Sequence, residues 1–199
     1  KILDKLRVDT KTDYQTQTIN TEAYKYYLEA NYIFEKRENM KDTEIARGLY
    51  RKAIELDDEL ISAQIQLGIT YKSYDDFDKA MEIYTSALKQ AEEIGDKHGM
   101  GVTLNSMGWL YIIENRKYKI WDYSIDKSLD YHTRSLKIFE ELNDMDGMGM
   151  SLVYIGNVHS DKGEYDKALD YFFRSLEIRE ELGDKQGIGY SLNHIGNVY

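Results

Sequence analysis

The chain of 199 residues contains no cysteine and no proline. The first absence removes disulfide frameworks, cysteine-ligated zinc sites and thiol catalysis together. It also fits a cytoplasmic location. The second is unusual, since average proline usage is about 5%, and it predicts long helices joined by turns that other residues must make. Positive charge is outnumbered: 26 Lys+Arg stand against 36 Asp+Glu, a net charge of −10. That balance argues against nucleic-acid binding, which draws affinity from clustered Lys and Arg, and it disfavours acidic ligands. No run approaches the roughly 18 to 20 apolar residues that cross a bilayer, so no membrane contact is expected of these residues.

What is present is repetition. Gly147-Met-Gly-Met-Ser-Leu-Val-Tyr-Ile-Gly-Asn-Val-His159 returns 40 residues later as Gly187-Ile-Gly-Tyr-Ser-Leu-Asn-His-Ile-Gly-Asn-Val-Tyr199, with an earlier copy from Gly99 to Tyr111. A second motif alternates with it, as in Asp78-Lys-Ala-Met-Glu-Ile-Tyr84, Asp126-Lys-Ser-Leu-Asp-Tyr-His132 and Asp166-Lys-Ala-Leu-Asp-Tyr-Phe172. Gly68, Gly108, Gly156 and Gly196 are 40, 48 and 40 apart, and both motifs stretch by the same eight residues at the same place. A single insertion, near Glu114–Asp122, does that. The chain starts at Lys1 and stops inside the pattern, so it is expected to be a piece of a larger protein.

Each motif has helical period. Ala80, Ile83, Tyr84, Ala87 and Leu88 fall on one stripe, as do Leu104, Met107, Gly108 and Tyr111. Between them, Gly95, Asn143 and Gly183 suit the left-handed residue that ends a helix. Asp96, Asp144 and Asp184 then suit the cap that starts the next. The spacing predicts helical hairpins over 21–57, 60–94, 97–142 and 145–182 and the first helix of a fifth over 185–199. Residues 1–20 read as a short amphipathic helix and a polar linker.

These residues resemble the tetratricopeptide repeat. Leu67, Gly68, Tyr71, Ala80, Tyr84 and Ala87 match its small and large apolar places. Met107, Gly108, Tyr111 and Ser128, then Ile155, Gly156, Gly163, Ala168 and Phe172, match in later copies. Gln64 stands where tryptophan is common, and the proline after the second helix is missing. The 40-residue spacing is similar to the long-repeat type of the Leu-Gly-Asn repeat proteins and of bacterial signalling proteins. The wording of residues 1–32 resembles the junction before such arrays in adenylate or guanylate cyclases.

The resemblance implies an all-α solenoid of helical hairpins, wound as a right-handed superhelix with a concave groove that holds a protein or peptide segment. In the family, the second, fifth, ninth and twelfth positions of each first helix line that groove. Carried over, these are Ser62, Ile65, Ile69 and Lys72, then Val102, Asn105, Trp109 and Ile112. The later helices supply Met150, Val153, Asn157 and Ser160, followed by Tyr190, Asn193 and Asn197. The asparagines offer a donor and an acceptor to an extended backbone. Trp109, with Ile65, Ile69 and Ile112, makes an apolar patch of the kind that anchors interfaces. Two alternatives stand beside this: the asparagines satisfy neighbouring backbone, and Trp109 packs under the insertion. Tyr118 and Trp121 either take part in recognition or pin the insertion.

No enzyme, cofactor or metal site is expected. Gly-x-Gly recurs before three helices in register and reads as packing rather than a phosphate cradle. His98, His132, His159 and His194 lack ligand spacing. His132 and His159 stand where Phe172 and Tyr199 stand in the next copy, so they read as core rings. The expected function is that of a non-catalytic, peptide-binding regulatory or scaffolding module of a signalling protein. The alternative is an oligomerisation or spacer arm, with a homodimer as its natural form.

Overall fold

The computed structural model describes residues 20–118 and 123–198. The expectations for residues 1–19, for the Tyr118 and Trp121 side chains and for Tyr199 lie outside the described residues. Within them the secondary structure is helical throughout: α1 (Thr21–Glu35), α2 (Met40–Leu56), α3 (Ile61–Lys72), α4 (Phe77–Ile94), α5 (Lys97–Tyr118), α6 (Tyr123–Leu142), α7 (Met145–Asp161), α8 (Tyr165–Leu182) and α9 (Lys185–Val198). Each helix packs chiefly on its neighbours in sequence, and each odd-numbered helix also touches the next odd-numbered one. The result is an all-α solenoid.

Turn chemistry sets the boundaries without proline. Gly95 and Gly183 adopt φ of +75° and +67°, and Asn143 takes the same left-handed place at +53°. The backbone N–H groups of Gly99, Gly147 and Gly187 donate to the carboxylates of Asp96, Asp144 and Asp184, at 2.8, 3.1 and 3.0 Å. Each carboxylate thereby satisfies a helix N–H that has no intrahelical acceptor. α5 runs to Tyr118, into the Glu114–Asp122 segment, so part of the insertion is an extra helical turn.

Glycines decide how closely the helices of a hairpin approach. A Cβ added at Gly68 would collide with the Tyr84 ring, one at Gly108 would lie 2.7 Å from the His132 ring, and one at Gly156 would lie 2.5 Å from the Phe172 ring. The Gly-x-Gly pairs serve packing likewise, with Gly101 and Gly147 both against Phe139, and Gly149 and Gly187 both against Arg179. Serines close the same interfaces: Ser135 Oγ donates to the Gly101 carbonyl at 2.8 Å, and Ser175 Oγ to the Gly149 carbonyl at 2.9 Å. The core runs on between hairpins. Ile61, Ile65 and Tyr84 of one share a cluster with Met107 and Leu110 of the next.

Candidate functional site

From α3 onward each odd-numbered helix packs on the even-numbered helices adjacent to it in sequence and, less extensively, on neighbours of its own kind. The sides left over make one half-buried face of the odd-numbered helices, the inner face. On α5 the half-buried residues there are Val102, Ser106, Trp109 and Ile113. The 48- and 40-residue shifts carry this stripe to Met150, Tyr154, Asn157 and Asp161 on α7 and to Tyr190, His194 and Asn197 on α9.

Aromatic rings run across this face. Trp109 lies 5.4 Å from Tyr154, and Tyr190 lies 4.5 Å from His194 in an edge-on contact. Burial pushes the Tyr154 hydroxyl above the usual tyrosine range, and the neighbouring Tyr190 adds to the shift while Arg179 opposes it. Arg116, on the extra turn of α5, grips Asp161 of α7 through Nε at 3.0 Å and a terminal nitrogen at 2.9 Å. Burial lowers the His194 pKa, and the Arg116 charge lowers it further. Asn157 is 4% exposed. Its Nδ2 is buried without a hydrogen-bond partner, as is Nε2 of His194.

At one end of the face lies a cavity of about 310 Å³. Its walls are Asp146, Met150, Val153 and Tyr154 of α7, Arg179 of α8, and Asp184, Gln186, Gly187, Tyr190 and Ser191 at the start of α9. Arg179, 6% exposed, is held by both Asp146 and Asp184. Among the described residues no group of three or more His, Asp or Glu side chains could hold a metal ion, and no helix is long and apolar enough to cross a membrane.

Three groove residues carried over from the family resemblance are corrected. Ile65 is 5% exposed and belongs to the core cluster of Tyr84 and Met107. Ile112 is 1% exposed and packs with Ile125 and Val158. Asn105 is buried, its Oδ1 paired with His132 Nδ1 at 2.9 Å and its Nδ2 donating to Ser151 Oγ at 2.9 Å. The physical reason is the close contact between successive odd-numbered helices, which turns the fifth repeat position of α3 and the fifth and twelfth of α5 into the flank. Val153 is also buried, yet it walls the cavity. Ile69, Lys72 and Trp109 are half-buried, and Asn193 and Asn197 are exposed. Desolvation alone lowers the Lys72 pKa. The sequence reasoning missed Tyr154, His194 and the Arg116–Asp161 pair. The signal for the first two was available in the repeat shifts, which place Ser106, Tyr154 and His194 in register. His132 is fully buried and His159 is 8% exposed. His159 stacks on Tyr171 and pairs with Glu164 at 2.6 Å, so both histidines are packing groups.

Comparison with known proteins agrees with the fold. The family described as tetratricopeptide repeat matches residues 151–186. Among solved structures, a signal-transduction ATPase with a tetratricopeptide repeat sensor from Pyrococcus horikoshii is similar over 89% of this chain and 26% of its own, with a TM-score of 0.72 and 18% identity. A Rap protein complexed with competence and sporulation factor is similar over 93% of this chain and 50% of its own (TM-score 0.71, 18% identity). Aspartyl phosphate phosphatase F from Bacillus subtilis is similar over 85% and 43% (TM-score 0.70, 20% identity). This chain thus spans half or less of each of those three proteins. Against curated protein sequences it has no significant match.

Proposed function

We propose that this chain, a tetratricopeptide repeat protein in sequence and fold, binds an extended segment of another protein along its inner face between α5 and α9, as the regulatory or scaffolding part of a larger signalling protein. The observation that carries this reading is Asn157. A buried amide donor without an acceptor costs about 1–3 kcal/mol, and the Asn157 Nδ2 on the inner face is such a donor. The carbonyl of a bound backbone would satisfy it once the side chain turns outward, since Nδ2 is closed to solvent in this structure, and the Trp109 and Tyr154 rings, in contact on the same face, would border that backbone. Two proteins of like fold support the reading: one was solved with a bound factor, and the other uses its repeats as a sensor. The reading assigns no chemical step.

Panning a displayed library of random extended peptides against the chain provides the test. Selected peptides are expected to bind Trp109→Ala at least about tenfold more weakly than the wild type, the loss typical of a tryptophan anchor. Equal affinity of the two proteins, with circular dichroism unchanged, counts against the inner face.

A second reading rests on a different observation. Leu192 of α9 is 51% exposed, whereas its counterparts Leu104 and Leu152 are 1% exposed. An added Cβ at Gly189 or Gly196 would meet nothing within 4 Å. This face suits edge-to-edge association between two copies. Light scattering decides it: a dimer that Leu192→Lys converts to monomer supports the arm, and a monomer at high concentration removes it.

A further inference from the structure

The cavity between the first turns of α7 and α9 is where the repeats differ most in chemistry, although their packing positions coincide. One hairpin earlier, the places of Asp146, Arg179, Tyr154 and Tyr190 are held by His98, Phe139, Ser106 and Met150. There His98 pairs with Asp144 at 3.4 Å and lies against the Phe139 ring at 5.7 Å. At the α7–α9 step two carboxylates, Asp146 and Asp184, share the single guanidinium of Arg179. One negative charge is left in excess. The Asp184 carboxylate is further occupied by the Gly187 N–H that it caps. The Asp146 side chain is 66% exposed at the rim. Behind it, Met150, Tyr154 and Tyr190 offer apolar and aromatic walls.

A volume near the lower end of the roughly 300–1,000 Å³ range of ligand pockets suits one long side chain rather than a whole cofactor. We infer that this cavity takes an arginine side chain of the bound segment, its aliphatic stem along Met150 and Tyr190 and its guanidinium on the Asp146 carboxylate. A guanidinium matches a carboxylate through two parallel donors, and it also lies favourably over an aromatic face. The excess negative charge excludes an acidic occupant, in keeping with the net charge of −10. This assignment rests on the inner-face reading for the rest of the segment, but its own contacts are separate from Trp109 and Asn157.

The test titrates the whole chain, observed by amide NMR, with N-acetyl-arginine methylamide and with its uncharged citrulline analogue. The arginine probe is expected to shift the resonances of Met150, Gln186 and Tyr190. The citrulline analogue binds about threefold to fivefold more weakly, as the loss of one partly exposed ion pair implies. Asp146→Asn, at an exposed site that leaves Arg179 its Asp184 partner, removes the difference between the two probes. Equal binding of the two probes, shifts centred elsewhere, or arginine binding indifferent to Asp146→Asn overturns the assignment. If selected peptides ignore Trp109 while the arginine probe still occupies the cavity, the inner-face reading fails and the subsite stands. The converse pattern removes the subsite alone.

Discussion

Gly156→Ala is expected to destabilise the protein, and Gly196→Ala, the same glycine one repeat later, to stabilise it. Alanine gains up to about 1 kcal/mol over glycine in a helix interior. At Gly156 the new methyl would stand 2.5 Å from the Phe172 ring, which is fully enclosed between α7 and its neighbours. Overpacking of this kind costs about 1–3 kcal/mol, more than the propensity gain. At Gly196 an added Cβ meets nothing within 4 Å, so a gain stands alone, reduced to a few tenths of a kcal/mol because the residue lies in the last turn of α9. Since 1 kcal/mol moves the midpoint of a domain of this size by roughly 2–4 °C, thermal unfolding followed by circular dichroism resolves the two signs. A shift in the same direction for both variants contradicts the account of ring-on-glycine packing.

The second large effect is acid lability centred on His132. Its ring is fully buried above Gly108 and beside Tyr154, with Nδ1 on Asn105 Oδ1 and Nε2 unpaired. Burial pushes its pKa from 6.5 down to about 3. The folded state therefore holds the ring neutral while the unfolded chain takes up a proton below pH 6.5. Stability is full above that pH and falls as pH drops toward 3, by at most roughly 5 kcal/mol. Phenylalanine fits the same place, since Phe172 occupies it over Gly156. His132→Phe strands the Asn105 acceptor, which costs about 1–3 kcal/mol at pH 7. Its stability should nevertheless decline less by about 3 kcal/mol between pH 7 and pH 4.5, because it lacks the proton uptake. Denaturant titrations at the two pH values measure the difference. Parallel losses in wild type and variant would mean that His132 is not held neutral by the fold.

Much of the solenoid was legible because its determinants are local. The Gly/Asn-Asp turns, the small residues at Gly68, Gly108 and Gly156, and the rings that meet them all recur in register, and each acts between helices adjacent in sequence. His132 and His159 could be read as core rings for the same reason. The inner face was less legible. Whether Asn105 points at a ligand or at Ser151 depends on how α5 is rotated against α7, and no residue within α5 reports that rotation. Positions carried over from the shorter repeat consequently placed Ile65, Asn105 and Ile112 one flank away from where they lie. The cavity was hidden for another reason: Arg179 and Asp146 are 33 residues apart and meet only once α8 has packed back on α7.

The central claim is that the inner face holds an extended backbone on Asn157. Side-chain amide NMR with a selected peptide tests it most directly, because the Asn157 Nδ2 protons and the Trp109 indole N–H are reporters at equivalent places of the same face, on α7 and α5. On peptide addition the Asn157 amide protons are expected to move downfield as they gain an acceptor, with the Trp109 signal shifting in the same titration. Saturating peptide that leaves both signals in place, while perturbing α9 or the outer faces of α6 and α8, would contradict it.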